Sequence, residues 1–329
     1  MRRKPLIIIR LFAALATGAA FFAGANPALA QAPYPAKPVH IIVAFAPGGF
    51  ADGIARMFGQ KLGDRLGQTF VVENRGGAGG NIAARQVAAA GPDGYTLLAH
   101  TAAISINASL YRNPGFDLLA DFAPVANTGS TPGLLAVHPS NPANNLQDLI
   151  RLYKGRRLTY STAGVGTSSH LAADYLFKSL AGLDAVHVPY QGGAPAITAA
   201  VANQVDVISG SMPPVLPFVK QGRLKALSIS SLKRAAALPD VATVTEAGFA
   251  DFEERSWVGF FAPAKTDAEI VRKLNGEINQ ILALPDIRER LAGLGLEPSP
   301  GSPAEFTEYI KKEVAKWAKI VKATGVSAE

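Results

Sequence analysis

The chain has 329 residues and not one cysteine. That excludes disulfides, thiolate metal sites, thiol catalysis and a lipid-modified cysteine anchor. Beyond the first thirty residues no apolar run approaches the ~18 residues of a membrane-spanning helix. Long basic runs are missing too, and aromatic residues do not alternate with a Lys/Arg stripe, which argues against a nucleic-acid partner. Catalytic and nucleotide signatures are equally scarce. The chain holds no G-x-S-x-G, H-E-x-x-H or G-x-x-x-x-G-K-[ST]. A dinucleotide G-x-G-x-x-G fails at its third glycine, which would fall on Ile82 counted from Gly77 and on Ser169 counted from Gly164. The five histidines, His40, His100, His138, His170 and His187, are scattered and suggest no metal site.

What is present begins with an export signal. The basic start "MRRKPLIIIR", the apolar run "LFAALATGAAFFAGA" and the small residues "ALA" before Gln31 predict a signal peptide, residues 1–30, cleaved after Ala30. The expected location is the periplasm. The formal charge of +7 is largely a property of this segment: without Arg2, Arg3, Lys4 and Arg10, 28 basic residues face 25 acidic ones, a net +3.

The remainder alternates strands with helices. "VHIIVAFA", "TFVVEN" and "YTLLAH" read as strands and "DGIARMFGQKLGDRLG" and "NIAARQVAAA" as helices, which implies βαβ units and a parallel sheet. Between Asp121 and Pro142 two short apolar runs without helical period suggest a crossing segment, after which a second α/β set follows. "LKALSIS" (224–230) offers a route back. The tail is helical, with Phe306, Ile310, Val314, Trp317, Ile320 and Val321 as the core face of the last helix and its Lys/Glu mixture as a solvated face. The reading is an α/β fold of two lobes around a hinged cleft. Domain 1 is discontinuous, 31–127 and 229–329, and domain 2 covers 128–228.

Three strand-to-helix turns are rich in glycine or small polar residues: "APGGFAD" (46–52), "NRGGAGGN" (74–81) and "STAGVGTSSH" (161–170). A fourth, "HTAAIS", offers Thr101 as a cap. In open α/β sheets such turns gather at the carboxyl ends of the strands, where ligands bind. Each exposes helix N-terminal N–H groups suited to an anion, and glycine lets the ligand come close. Asp52 reads as the N-cap of the first helix, with Arg56 pairing to it at i, i+4.

The order and wording of "YPAKPVHIIVAFAPGGFADGIAR", "VVENRGGAGGNIAA", "PDGYTLL", "YSTAGVGTSSHLAADYLF", "VHVPYQGGAPAITAAVANQVDV" and "WVGFFAPAKT" resemble the Bug family, periplasmic receptors of tripartite tricarboxylate transporters. The likeness spans nearly the whole mature chain. It implies a two-lobed periplasmic binding protein fold, type II-like, closing like a Venus flytrap on a small carboxylate. The resemblance implies a di- or tricarboxylate, an acidic amino acid or an aromatic acid, and the lack of fixed positive charge among Thr167, Ser169, Ser209 and Ser211 narrows the carboxylate to a mono- or dicarboxylate. Carried onto this sequence, one carboxylate would be held by Pro47, Gly48, Gly49 and Phe50, with Ala78, Gly79 and Gly80 opposite. The second lobe would add Gly164, Gly166, Thr167, Ser168 and Ser169, with a distal contact from Ser209 or Ser211. No cofactor, metal or catalytic residue is implied. The partners would be the membrane permease subunits of such a transporter, the receptor acting as a monomer.

Two other readings stand beside this one. A periplasmic sensor would use the same cleft and hand its bound form to a signalling partner. A secreted hydrolase would have to draw on Ser168, Ser169 and His170, which follow one another on a helix about 100° apart and so are poorly placed to meet.

Overall fold

The computed structural model describes residues 34–250 and 252–328. The signal peptide and its cleavage after Ala30 lie outside the described residues. Residues 34–36, with a cis Tyr34–Pro35 peptide, belong to a unit separate from the body that starts at Lys37.

β-Branched residues open the fold. Strand β1 (Val39–Val43) has four of them in five positions, and Val39, Ile41 and Val43 are wholly buried, as suits a parallel strand covered on both faces. Helix α1 (Phe50–Leu66) returns the chain to β2 (Phe70–Asn74). A 3₁₀ turn at Ala78–Gly80 and α2 (Asn81–Ala88) lead to β3 (Thr96–Thr101), then α3 (Ala103–Leu110). β2, β1 and β3 lie side by side in parallel.

The segment that read as two short apolar runs is one strand of sixteen residues, β4 (Phe122–Val137). Its first part, up to Pro132, pairs antiparallel with β9 (Arg255–Pro263), which also pairs antiparallel with β3. From Gly133 onward it pairs instead with β7 (Val207–Ser211) and β8 (Lys225–Ile229). The sheet is therefore mixed, not all parallel, because the two strands that link its halves run against their neighbours.

The second half follows the same logic as the first. It contains α4 (Leu146–Tyr153), β5 (Leu158–Thr162) and α5 (Ser168–Asp174), which continues as a π turn over Tyr175–Leu180. Then come β6 (Ala185–Pro189), α6 (Gly193–Val201), β7, α7 (Met212–Lys220) and β8. β5 pairs in parallel with β6 and β7. Successive residues of β4 feed opposite faces. Leu135 and Val137 join one core with Tyr153, Tyr160 and Phe177, while Leu134 and Ala136 join the other with Ile197, Ile208 and Leu216.

The chain stays with this lobe beyond Ile229. Val244 and Phe252 complete the core that holds Leu135, Leu146 and Leu158, and strand pairing returns to the first lobe only at Arg255. Helices α8 (Ala268–Ala283), α9 (Pro285–Gly293) and α10 (Pro303–Thr324) then cover the first lobe. α10 opens with a capping box of Ser302 and Glu305. Its buried face carries Phe306, Ile310, Trp317 and Val321 as expected, but also Glu313. That carboxylate accepts from the indole N–H groups of Trp257 (3.2 Å) and Trp317 (3.1 Å). The helix's charged residues are thus not all on a solvated face. No helix among the described residues is long and apolar enough to cross a membrane.

Candidate functional site

The carboxyl ends of β1, β3, β5 and β7 open toward one cleft, and the turns that leave them start helices. Four first turns reach the same cavity: Phe50 and Ala51 of α1, Ser168 and Ser169 of α5, Gly193 of α6, and Pro214 of α7 behind Ser211. Helix N-termini carry unpaired N–H groups and partial positive charge. The prolines of α7 have no N–H, so that helix contributes the Ser211 hydroxyl and apolar surface. Among the described residues, no charged side chain lines the cavity. Its polar groups are hydroxyls and backbone, and its body is apolar, formed by Phe45, Phe50, Ile197, Ile208 and Val215. A space of this make-up suits a small anion with an apolar frame.

The residues singled out from the sequence divide into groups. Phe50, Thr101, Thr167, Ser168, Ser169 and Ser211 line the cavity. Ala78, Gly79, Gly80 and Gly164 line an adjoining opening of about 270 Å³ together with Tyr190 and Gln191, and Phe45 and Ala163 border both spaces. Pro47, Gly48 and Gly49 line neither space. The Gly48 amide donates to Asp52 Oδ2 at 2.9 Å, and a side chain added at Gly48 or Gly49 would meet Ala194 or Gly193 of the facing lobe at 3.3–3.4 Å. Gly166 sits against Asn107 of α3. Ser209 is turned inward, donating to the Ser169 carbonyl at 3.0 Å.

Asp52 is not the N-cap. Gly49 holds that position with extended backbone, and Asp52, in the first turn, reaches back to the Gly48 amide. Burial alone would raise its carboxyl, but hydrogen bonds from Arg56, the Gly48 amide and Asn74 hold it below the usual carboxylate range. The Arg56 pairing is as the spacing implies, at 3.0 Å.

The glycines opposite are needed where they stand. Gly80 has φ +96°, and a Cβ there would lie 2.3 Å from His100 Nε2. At Gly79, φ +62°, a Cβ would lie 2.7 Å from the Val165 carbonyl of the other lobe. Only glycine allows the approach. His100 itself is fully buried, and the loss of solvent pulls it down to about 4, so it is neutral at physiological pH.

His170 does not serve a nucleophile. Its ring stacks on His187 at 3.9 Å, and burial lowers it to about 4. Thr167 caps α5 by accepting from the His170 amide at 3.3 Å. Two features escaped the sequence reading. The "QGG" turn at 191–193 faces the "PGG" turn, with the Ala46 amide donating to the Gln191 carbonyl at 3.1 Å. It carried the same strand–glycine–helix pattern as the turns that were recognised. Ser256 also lines the cavity, but from β9, a strand with no local signal for a site.

The profile described as "Tripartite tricarboxylate transporter family receptor" matches residues 54–326. A UPF0065 protein from the tcbD-tcbE intergenic region of Pseudomonas sp. strain P51 is 36% identical over 88% of this chain and 86% of its own. Protein BugT of Bordetella pertussis is 34% identical over 89% and 90%. Among solved structures, the periplasmic binding protein BugD superposes with a TM-score of 0.87 at 35% identity, covering 90% of this chain and all of its own. An R. palustris protein solved with adipate gives 0.87 at 33% identity over 89% and 99%. MatC from Rhodopseudomonas palustris, with bound malate, gives 0.82 at 32% identity over 88% and 100%.

Proposed function

The chain belongs to the tripartite tricarboxylate transporter receptor family, as a periplasmic solute-binding receptor and not an enzyme, and from that premise we propose that it captures a mono- or dicarboxylate of four to six carbons in the cleft described above. It then delivers that acid, as a monomer, to the membrane permease of a tripartite tricarboxylate-type transporter. The observation that carries the ligand class is the convergence of helix N-termini and hydroxyls on a cavity without a charged side chain. With no arginine or lysine at the site, a third carboxylate would go unpaired, which disfavours a tricarboxylate. Phe50, buried and bordering the cavity, supplies apolar contact for the middle of the ligand. The relatives solved with malate and adipate support the same size range.

The test is a thermal-shift screen pairing each acid with its amide: malate, succinate, adipate, citrate, aspartate, glutamate and benzoate. A ligand at a hundred times its Kd stabilises the folded state by about 2.7 kcal/mol, several degrees for a protein of this size. Acids should shift the melting temperature and amides should not. Equal shifts from both, or a shift from citrate alone, refute the reading. Ser168→Ala should weaken the best acid about 10- to 150-fold, the worth of one hydrogen bond to a charged group.

A further inference from the structure

Most hydroxyls around the cleft stand at the start of a helix, but one does not. Thr167 is the N-cap of α5, Ser168 and Ser169 open that helix, and Ser211 is the N-cap of α7. Ser256 is instead the second residue of strand β9, 3% exposed and lining the cavity. β9 runs antiparallel to β3, with Val258 opposite Thr101, the last residue of β3. The amino end of β9 therefore overshoots the carboxyl end of β3 and enters the region where parallel strands place their ligands. Side chains alternate along a strand, so Ser256 shares the face of Val258 and hence that of Thr101, which lines the same cavity.

The hydroxyls differ in what they already hold. Thr101 Oγ1 accepts from the Ala103 amide at 3.3 Å. Thr167 Oγ1 donates to the Gly164 carbonyl at 2.8 Å and lies 3.3 Å from Ser169 Oγ. The Ser256 hydroxyl has no hydrogen-bond partner among the described residues. Arg255, next to it in the chain, is turned to Glu297 at 2.7 Å and Ser130 Oγ at 3.0 Å and does not line the cavity. A buried polar group without a partner is costly, and the space this one reaches is the ligand's.

Charge decides what can satisfy it. The carboxylates of a diacid are served by the helix starts, where N–H groups and partial positive charge gather: Phe50 and Ala51 of α1, Ser168 and Ser169 of α5, and Gly193 of α6. Ser256 has a strand behind it, with neither a helix end nor a cation, and Phe45, Ile208 and Val215 are among the walls it shares. A carboxylate placed there would give up its water for one hydrogen bond, whereas a neutral hydroxyl gives up far less. On the reading that the cleft takes a dicarboxylate, we infer that Ser256 is a specificity-determining residue that pairs with a hydroxyl on the carbon frame between the ligand's carboxylates. The preferred ligands are then hydroxy dicarboxylates, and the unsubstituted acids of the same length bind less well because they leave Ser256 unpaired.

The experiment measures, by calorimetry, the affinity of wild type, Ser256→Ala and Ser256→Thr for acids of equal length. Both enantiomers of malate are set against succinate and methylsuccinate, and the 2- and 3-hydroxy forms of glutarate and adipate against their parents. In wild type the tightest hydroxy acid should bind about 5- to 150-fold more tightly than its parent, the cost of one stranded buried hydroxyl. Methylsuccinate, which adds bulk without a hydrogen bond, should gain nothing over succinate. Ser256→Ala should weaken the hydroxy acid to the level of the parent, whose own affinity stays within about twofold of wild type. Ser256→Thr keeps the hydroxyl and should keep the preference, even where its extra methyl weakens both acids. Ligand-free unfolding shows that each variant is folded. If wild type does not favour the hydroxy acid, or methylsuccinate matches malate, the assignment is refuted while carboxylate binding stands. The same holds if Ser256→Ala retains the preference or weakens both members of a pair equally, or if wild type binds only acids outside these pairs. If the folded wild type binds no acid of the screen, the carboxylate reading falls and takes this proposal with it.

Discussion

Asp52 shows how a single residue can keep its type and change its part. Aspartate at the start of a helix, with arginine four residues on, reads as a cap and an ion pair, and the pair is there. Its first task, however, is to satisfy the Gly48 amide within the "PGG" turn, which the sequence offered to a ligand. Arg56 is half exposed, which discounts its ion pair, and its hydrogen bond acts together with those from the Gly48 amide and Asn74. The folded-state value is depressed, so Asp52 contributes stability that is fully present above its unfolded value of about 3.9 and is lost as pH falls through the folded value. Asp52→Asn should therefore cost about 1–3 kcal/mol at neutral pH. The gap to wild type in denaturant unfolding should close at acid pH, and a gap that is constant with pH would remove the charge from the account. Ser209 shows what pattern alone hides. It shares a strand face with Ser211, two residues on, and the alternation of β7 makes both candidates for the site. Depth along the strand separates them: Ser211 stands at the cavity, while Ser209 lies under α5 and spends its hydroxyl on Ser169.

Elements were legible wherever one rule governed the whole of them. β2 and β3 fall within a residue of the runs that announced them and β1 ends three residues before its run does, because buried strands such as β1 and β3 read as unbroken β-branched and aliphatic stretches. β4 was not, since it serves two partners in turn. Its polar interruptions mark the bulges between Asn127 and Ser130 and the change of partner at Gly133, not the ends of separate strands. α10 failed in one position for a related reason. A glutamate among lysines on a long helix reads as solvated, and nothing within the helix reveals that Trp257, on β9, will place its indole N–H against that carboxylate. Glu313→Leu would leave two buried indole donors without their acceptor. It should lower stability by about 2–4 kcal/mol, and Glu313→Gln should recover most of this because its amide oxygen still accepts. Chemical denaturation of both variants decides it, and a Leu variant as stable as wild type would make the buried carboxylate dispensable.

At the scale of the whole molecule, the sequence conveyed two α/β sets and two crossings but put the return too early. The strand at 225–229 looked like a route back, yet residues 230–254 bury Val244 and Phe252 in the second lobe, and no periodic pattern announces this. The lobes meet here through glycine-rich turns at contact distance, and the cavity between them amounts to about 40 Å³. An apolar cavity of about 150 Å³ is what benzene occupies. A dicarboxylate of four to six carbons is larger, so its capture should part the lobes beyond this arrangement, a shift between open and closed populations.

Gly76 offers a way to test that motion without disturbing the ligand contacts. It lines neither space, and its backbone is not in the left-handed region. A Cβ there would lie 3.2 Å from the Gln191 carbonyl across the cleft and 3.5 Å from the Ala46 amide that donates to it. Gly76→Val adds two methyl groups at that contact. The Ala46 contact lies within the same lobe at ordinary van der Waals distance and is present open or closed, while the tight approach to the Gln191 carbonyl exists only when the lobes are closed, so the penalty should fall mainly on the closed form. A closed-state penalty of about 1–3 kcal/mol, typical of overpacking, should weaken the best acid of the screen about 5- to 150-fold. Unfolding of the ligand-free protein should change little. Small-angle scattering should find the variant's radius of gyration at subsaturating acid larger than wild type's under the same conditions. If Gly76→Val binds and compacts as wild type does, closure does not bring the 76 and 191 turns together, and the contact between them is not the latch of this cleft.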